Sequence, residues 1–118
     1  ERSLQTDRNV FCKMLYDTQK INEINFKIYN KWFDEFISDI PKIFYIYIKT
    51  DPIVVFERII IRNRKGETIN LQYLEMCSSY HDIWLNNKEY KKDVIILNGD
   101  NELISTFEDT NQILKKFI

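Results

Sequence analysis

Two short apolar segments constrain the fold of this 118-residue chain more than any other feature. Residues 43–48 read Ile-Phe-Tyr-Ile-Tyr-Ile, and residues 94–97 read Val-Ile-Ile-Leu. Short runs that are apolar nearly throughout and rich in β-branched and aromatic side chains are typical of strands covered on both faces, as in a parallel sheet. The aromatic side chains at positions 44, 45 and 47 are therefore interpreted as core.

Helical segments surround these strands. Five segments carry apolar side chains at three- and four-residue steps, the spacing of an amphipathic helix. Strands that alternate with helices predict an α/β fold with a parallel sheet. Two strands are too few to cover such a sheet and pair its edges, so further strands are expected before Glu1. The five segments are residues 8–20, 23–40, 52–62, 71–85 and 104–117.

Composition restricts the function classes. The chain has 17 Lys+Arg and 18 Asp+Glu residues, a net charge of −1, which gives no reason to expect a nucleic-acid partner or binding to an acidic membrane surface. No run of about 18 apolar residues is present, so no membrane-spanning helix is expected. No signal peptide is visible either, and the simplest interpretation is an intracellular, cytoplasmic protein.

Three isolated residues are interpreted without a catalytic role. Cys12 and Cys77 have no zinc-binding spacing and are expected to be ordinary thiols in a reducing compartment. His81, the only histidine, lies at helical spacing with apolar neighbours. It is interpreted as a packed, hydrogen-bonded residue instead of a general base.

A first polar cluster opens the chain. Glu1, Arg2, Asp7 and Arg8 stand within eight residues, just ahead of a helical apolar run. One interpretation is a solvated helix N-terminus, where acidic residues are common. The other is a polar site at the carboxyl end of a strand, where α/β folds bind ligands.

A second cluster consists of Arg58, Arg62 and Arg64. Arg58 and Arg62 are four residues apart and share one helix face, and Arg64 follows in the adjoining loop. These cations could simply complement the helix C-terminus. Because arginine binds phosphate oxygens bidentately and keeps its charge, and because Gly66 follows the cluster, we favour a phosphate clamp.

The order of motifs along the chain resembles the deoxynucleoside kinase family, which includes deoxycytidine, deoxyguanosine and mitochondrial thymidine kinases. The resemblance implies a P-loop kinase fold with a five-stranded parallel sheet, of which residues 1–118 would be the C-terminal part. It also implies transfer of a phosphoryl group from ATP to the 5′-hydroxyl of a deoxynucleoside, with a lid at about residues 58–68. The motifs are Glu1-Arg2-Ser3-x-x-x-Asp7-Arg8, Tyr29-x-x-Trp32, Phe44–Thr50 running into Asp51-Pro52, Glu57-Arg58-x-x-x-Arg62-x-Arg64, Glu67-x-x-x-Leu71-x-Tyr73-Leu74-Glu75, His81-Asp82-x-Trp84-Leu85 and Val94–Leu97.

The resemblance assigns roles around the acceptor. Glu1 matches the acidic residue near Mg²⁺ and the phosphates, and Arg2 matches the arginine that reaches the 5′-oxygen and the transferred phosphate. Asp7 matches the residue that meets the base edge, and Glu67 matches the carboxylate that accepts from the sugar 3′-hydroxyl. An aspartate at position 7 resembles the deoxycytidine/deoxyguanosine branch. Gln5 and Thr6 lie between Ser3 and Asp7, where relatives often carry an aromatic side chain, which implies a different base pocket.

Around the donor nucleotide, Arg62 and Arg64 match the lid arginines that stabilise the transferring phosphoryl group, and Arg58 matches a position near the adenine. The backbone of a loop that includes Asp100, Glu102 and Leu103 would contact that adenine. A departure is Asn98-Gly99, which replaces a more acidic pattern at the end of the last strand.

No GxxxxGK[ST] motif occurs, so this chain has no P-loop of its own. We therefore expect residues 1–118 alone to be inactive and poorly folded, and to need an N-terminal P-loop segment. By resemblance, a homodimer through residues 8–20 and 70–86 is also expected. Two alternatives stay open: a non-catalytic kinase-like fragment that binds a nucleotide or a partner, and a nucleoside monophosphate kinase with a similar arginine-rich lid.

Overall fold

The computed structural model describes residues 3–101 and 103–115. Helices alternate with two strands in the predicted order. The helices are α1 (Leu4–Thr6), a π-helical segment (Asp7–Cys12), α2 (Lys13–Asp17), α3 (Glu23–Ile37), α4 (Pro52–Arg62), α5 (Leu71–Leu85) and α6 (Leu103–Leu114); the strands are β1 (Tyr45–Lys49) and β2 (Val94–Asn98), the second preceded by a 3₁₀ turn (Lys91–Asp93).

The two strands lie side by side and run in parallel, which confirms the predicted α/β class. The register pairs Tyr45 with Val94 and continues to the pair of Lys49 and Asn98. Both strands therefore end at the same edge of the sheet. There the Gly99 amide donates to the Lys49 carbonyl over 2.7 Å, which links the loop after β2 to the end of β1.

Two boundaries differ from the sequence prediction. β1 covers Tyr45–Lys49 instead of residues 43–48, and the preceding Phe44 is 56% exposed, so its assignment to the core is wrong. The side chain of Lys42 lies over the Phe44 ring, 4.8 Å from its centroid. Helix α3 ends at Ile37 and not at residue 40, because the chain tightens into three-residue turns before Pro41.

The first helical region also begins earlier than predicted. It begins at Leu4, with Ser3 as the N-cap accepting from the Thr6 amide over 3.2 Å, and it ends at Asp17 instead of residue 20. The apolar periodicity of residues 8–20 could not reveal the polar first turns. Gln19 then has a φ of 58°, a left-handed conformation that stops the helix.

The core lies between the π-helical segment, α5 and one face of the sheet. Val10 is fully buried there against Trp84 and Leu85, and the side chains of Tyr45 and Tyr47 pack onto this cluster. The strands are not covered as fully as predicted: in the part of the chain that the structure describes, Ile48 of β1 and Ile96 of β2 are about half exposed.

The burial of the cysteines and the packing of the histidine agree with the sequence interpretation. Cys12 is buried and Cys77 is half-buried. The His81 Nδ1 lies 2.7 Å from the Cys77 carbonyl oxygen, and its ring stacks on Tyr47 with centroids 5.8 Å apart. His81 is therefore a packed, hydrogen-bonded residue. No helix within residues 3–101 and 103–115 is long and apolar enough to cross a membrane.

Candidate functional site

The carboxyl ends of β1 and β2 border an open cleft of about 500 Å³. Asp51 begins α4 as its N-cap, with its carboxylate accepting from the Ile53 amide over 2.8 Å. The Asp51 amide in turn donates to the Asp100 carboxylate over 2.7 Å. The predicted Asp100 thus lies at this edge, where its carboxylate joins the loop after β2 to the start of α4.

Arg58 connects α4 with the same loop. Its Nη1 donates to the Gly99 carbonyl over 2.7 Å and its Nη2 to the Asn101 carbonyl over 3.1 Å. The structure therefore brings Arg58 together with the loop that the resemblance pairs with it. Glu102 lies outside the described residues, and Leu103 begins α6.

The lid joins the end of α4 to α5. Asn63, with a φ of 46°, ends α4 in the left-handed conformation, and Gly66 has a φ of 83°. These turns bring the Arg62 guanidinium to within 2.5 Å of the Glu67 carboxylate Oε1. The family resemblance assigned Arg62 and Glu67 to different ligands, and the structure pairs them with each other.

Glu67 and Arg64 each have polar atoms that a ligand could bind. The second carboxylate oxygen of Glu67, Oε2, is buried and has no hydrogen-bond partner among residues 3–101 and 103–115. A buried, unpartnered oxygen is costly and is readily satisfied by a donor such as a hydroxyl. Arg64 is exposed, and no carboxylate of those same residues forms an ion pair with it. The lid thus combines an acceptor with a cation that is open to an anion.

Asp7 is the first residue of the π-helical segment, and its carboxylate accepts a hydrogen bond from the Tyr29 hydroxyl of α3. Burial, followed by the hydrogen bond to Asp7, raises the pKa of Tyr29, so the phenol keeps its proton. The next residue, Arg8, pairs with Asp34 over 3.2 Å and lies 4.4 Å from the Phe33 ring centroid. In the described part of the chain, no hydrogen bond or ion pair joins Asp7 to the lid.

Glu1 and Arg2, to which the family resemblance assigned the metal and the transferred phosphate, lie outside the described residues. Within the described part of the chain, no group of three or more His, Cys, Asp or Glu side chains could hold a metal ion. The assignment of Glu1 to a metal therefore stays a prediction.

Sequence reasoning missed one contact of the site. Tyr29 was part of a recognised motif, but its hydroxyl was not linked to Asp7, which is 22 residues away. Nothing in the spacing of the two residues indicates the contact, because it depends on how α3 packs against the π-helical segment.

Comparison with known proteins decides the family. A sequence profile described as "Deoxynucleoside kinase" matches residues 1–117. The chain belongs to the deoxynucleoside kinase family. It is 35% identical over 121 residues to a fowlpox virus protein named "Probable deoxycytidine kinase", covering 97% of this chain and 51% of that protein. It is 39% identical over 93 residues to the mitochondrial deoxyguanosine kinase of Xenopus laevis, covering 75% of this chain and 35% of that protein.

The fold of this family member agrees with a solved structure. The deoxyadenosine kinase from M. mycoides with bound dCTP superimposes with a TM-score of 0.81 at 18% identity, covering 98% of this chain and 62% of that one. The predicted P-loop kinase-like fold is confirmed. The chain spans between about a third and about half of the length of the two curated relatives.

Proposed function

We propose that the protein carrying this chain transfers the γ-phosphoryl group of ATP to the 5′-hydroxyl of a deoxynucleoside. The observation that carries the proposal is the lid, where Arg62 is paired with Glu67 and Arg64 is open to an anion, in a chain of the deoxynucleoside kinase family. Phosphoryl transfer depends almost wholly on positioning and on cations that stabilise the phosphoryl oxygens, and the lid supplies such cations.

In the proposed reaction, Arg62 and Arg64 bind the oxygens of the transferring phosphoryl group. Phosphate competes with Glu67 for Arg62, because both offer oxygens in a geometry that a guanidinium binds bidentately. The Glu67 carboxylate accepts from the sugar 3′-hydroxyl, for which its buried Oε2 is available. Arg58 holds the loop at Gly99 against α4, next to the adenine.

Asp7 recognises the edge of the base, since a carboxylate accepts from an exocyclic amino group. Glu1 and Arg2 lie near the phosphates, where Glu1 would offer Mg²⁺ an oxygen ligand. The magnesium, when bound, neutralises phosphate charge. The assignments of Glu1 and Arg2 rest on the family motif alone.

The proposed partners are a segment with a P-loop and a second copy of the chain. The relatives are longer than this chain, and its sequence has no GxxxxGK[ST] motif to hold the β- and γ-phosphates. The dimer would form through residues 8–20 and 70–86, where Leu15 and Ile83 leave apolar surface exposed. A cytoplasmic location stays a prediction, and the matched deoxyguanosine kinase of Xenopus laevis is mitochondrial.

The lid variants test the proposed function. In the full-length protein, Arg62→Ala, Arg64→Ala and Arg2→Ala should each lower kcat by about 10²–10³-fold, the effect of removing one donor to transition-state charge, while the deoxynucleoside still binds. Lys65→Ala removes a neighbouring lid cation to which no role is assigned and should leave kcat within about twofold. Near-normal kcat in the arginine variants would show that the clamp assignment is wrong.

A substrate panel separates the alternatives. Turnover of deoxynucleosides, measured in a coupled assay, supports the proposal, whereas faster turnover of their monophosphates would assign the protein to the nucleoside monophosphate kinases. Nucleotide binding without turnover of either class would indicate the non-catalytic fragment.

A further inference from the structure

We propose that Tyr29 is a positioning residue for base recognition, holding the Asp7 carboxylate so that its second oxygen faces the amino group of the base. The inference rests on the proposed function, in which Asp7 meets the base edge. It adds a residue of α3 that does not itself need to touch the substrate.

The first observation is the hydrogen bond itself. The Tyr29 hydroxyl donates to Oδ2 of Asp7, while Oδ1 has no hydrogen-bond partner within residues 3–101 and 103–115. Asp7 is exposed and Tyr29 is half-buried, so the phenol reaches out of the packed surface to a carboxylate that solvent or a ligand can contact. A carboxylate with one oxygen held presents the other in a fixed direction.

The second observation is the unusual backbone at Asp7. The π-helical segment begins at this residue, and such segments occur frequently at functional sites. The wider turn is supported by the Asn9 side-chain amide, which donates to the Gln5 carbonyl over 2.8 Å. The side chain of Asp7 thus leaves the helix at a point where the regular ladder is interrupted.

The third observation is a second link between the same two elements. Arg8 forms an ion pair with Asp34 over 3.2 Å and lies 4.4 Å from the ring centroid of Phe33, both on α3. Because neighbouring residues of the π-helical segment are each held by α3, the distance between Tyr29 and Asp7 is held by the packing of the two elements as well as by the hydrogen bond.

The chemistry favours one class of base. An ionised carboxylate only accepts hydrogen bonds, so its open oxygen matches the exocyclic amino group of cytosine or adenine and opposes the O4 acceptor of thymine. Burial, followed by the bond to Asp7, raises the pKa of Tyr29, so the phenol keeps its proton and can donate to the carboxylate at neutral pH.

The test compares two tyrosines. Tyr29→Phe removes the hydroxyl at the site, and Tyr80→Phe removes a hydroxyl that donates over 2.6 Å to another exposed aspartate, Asp17. Both are measured in the full-length protein as the ratio of kcat/KM for the best amino-bearing deoxynucleoside to that for thymidine. We expect Tyr29→Phe to lower this ratio about 5- to 10-fold, chiefly through a higher KM for the amino-bearing substrate, and Tyr80→Phe to leave it within twofold.

Two further measurements test whether Tyr29→Phe acts through Asp7 and not through a loss of stability. Thermal unfolding of both variants should show similar, small losses of stability, since each loses one hydrogen bond of the same kind. In an Asp7→Ala background, adding Tyr29→Phe should leave the ratio where Asp7→Ala alone sets it. A further change in that background, or an equal change in Tyr80→Phe, would contradict action through Asp7.

The failures are distinguishable. If the unmodified protein phosphorylates deoxynucleosides and Tyr29→Phe keeps the ratio within twofold, the inference about Tyr29 is overturned and the proposed function stands. If the unmodified protein turns over no deoxynucleoside, the proposed function is overturned, and the positioning role of Tyr29 with it.

Discussion

At the scale of single residues, the lid arginines differ in what they contact. Their spacing predicted that all three would point at one polyanion. In the structure Arg58 binds two loop carbonyls, Arg62 binds Glu67, and Arg64 is exposed without an ion pair to a described carboxylate. The three guanidiniums therefore differ in their surroundings: Arg58 braces a loop, Arg62 is paired with a carboxylate, and Arg64 is open to an anion.

One residue-scale prediction concerns Gly99, which touches the end of β1. A Cβ there would lie 2.0 Å from the Thr50 Oγ1 and 2.8 Å from the Ile48 Cγ2. Both neighbours are β-branched and stiff at χ1, so they cannot easily withdraw. Gly99→Ala should lower the free energy of unfolding by about 1–3 kcal/mol, measured by denaturant titration of the full-length protein.

The control for this steric effect lies in the same loop. Asn101 is exposed and contacts Arg58 only through its carbonyl, which Asn101→Ala retains. This variant should change the free energy of unfolding by less than about 0.5 kcal/mol. Equal losses in the two variants would contradict the steric account of Gly99.

At the scale of elements, β1 and α5 are joined by alternate residues of the strand. The Tyr45 ring meets Trp84 edge-on with centroids 5.2 Å apart, and the Tyr47 hydroxyl donates to the Asp82 carboxylate over 3.3 Å. Lys49 pairs with the same carboxylate over 2.6 Å. One face of β1 is thus held against α5, the helix that follows the lid. This contact links the edge of the sheet to the C-terminal end of the lid.

The β1–α5 contact predicts a loss of stability at high pH. Burial raises the pKa of Tyr45 and of Tyr47 to about 12, with the nearby Asp82 adding to the rise at Tyr47. In an unfolded chain tyrosine titrates near 10, so the folded state binds these protons more tightly. This contribution is fully present below about pH 10 and is lost as the pH rises to about 12.

The measurement is the free energy of unfolding of the full-length protein across that pH range. It should fall from pH 10 to pH 12, and Tyr47→Phe should reduce the fall. Tyr16→Phe, whose ring stacks on Phe26 away from β1, should keep it. A flat profile in the unmodified protein would show that the strand tyrosines do not titrate with folding.

At the scale of the whole molecule, the chain exposes more surface than a compact body of its size. Its accessible surface is 9220 Å², whereas a folded 14.4 kDa monomer exposes about 6,800 Å². Its radius of gyration is 16.1 Å, against about 13.5 Å for a compact domain of this length. An apolar stripe on α3 accounts for part of the exposed surface; its members, all at least half exposed, are Ile24, Ile28, Trp32 and Phe36.

This surface predicts how residues 1–118 behave when produced alone. They should bind a hydrophobic dye such as ANS, unfold without a sharp transition and show no kinase turnover, since apolar faces are uncovered and no P-loop is present. The full-length protein is the control and should unfold cooperatively with little dye binding. A sharp transition without dye binding, or clear turnover on any deoxynucleoside, would contradict the prediction.

The elements and their order follow from local patterns in the sequence. Helical and strand periodicities are local, so α3, α4, α5 and both strands were recognisable. Helix ends were less predictable, because the stop of α3 at Ile37 depends on turns that carry no apolar pattern. The family, too, was readable from the ordered motifs.

Which polar groups meet depends instead on the packing of the elements. The Arg58 guanidinium binds carbonyls 41 and 43 residues away, and Tyr29 reaches a carboxylate 22 residues away. Even Arg62 and Glu67, five residues apart, meet only because the backbone turns between them. Spacing along a chain specifies which side chains share one helix or strand, whereas contacts between elements depend on how their apolar faces pack.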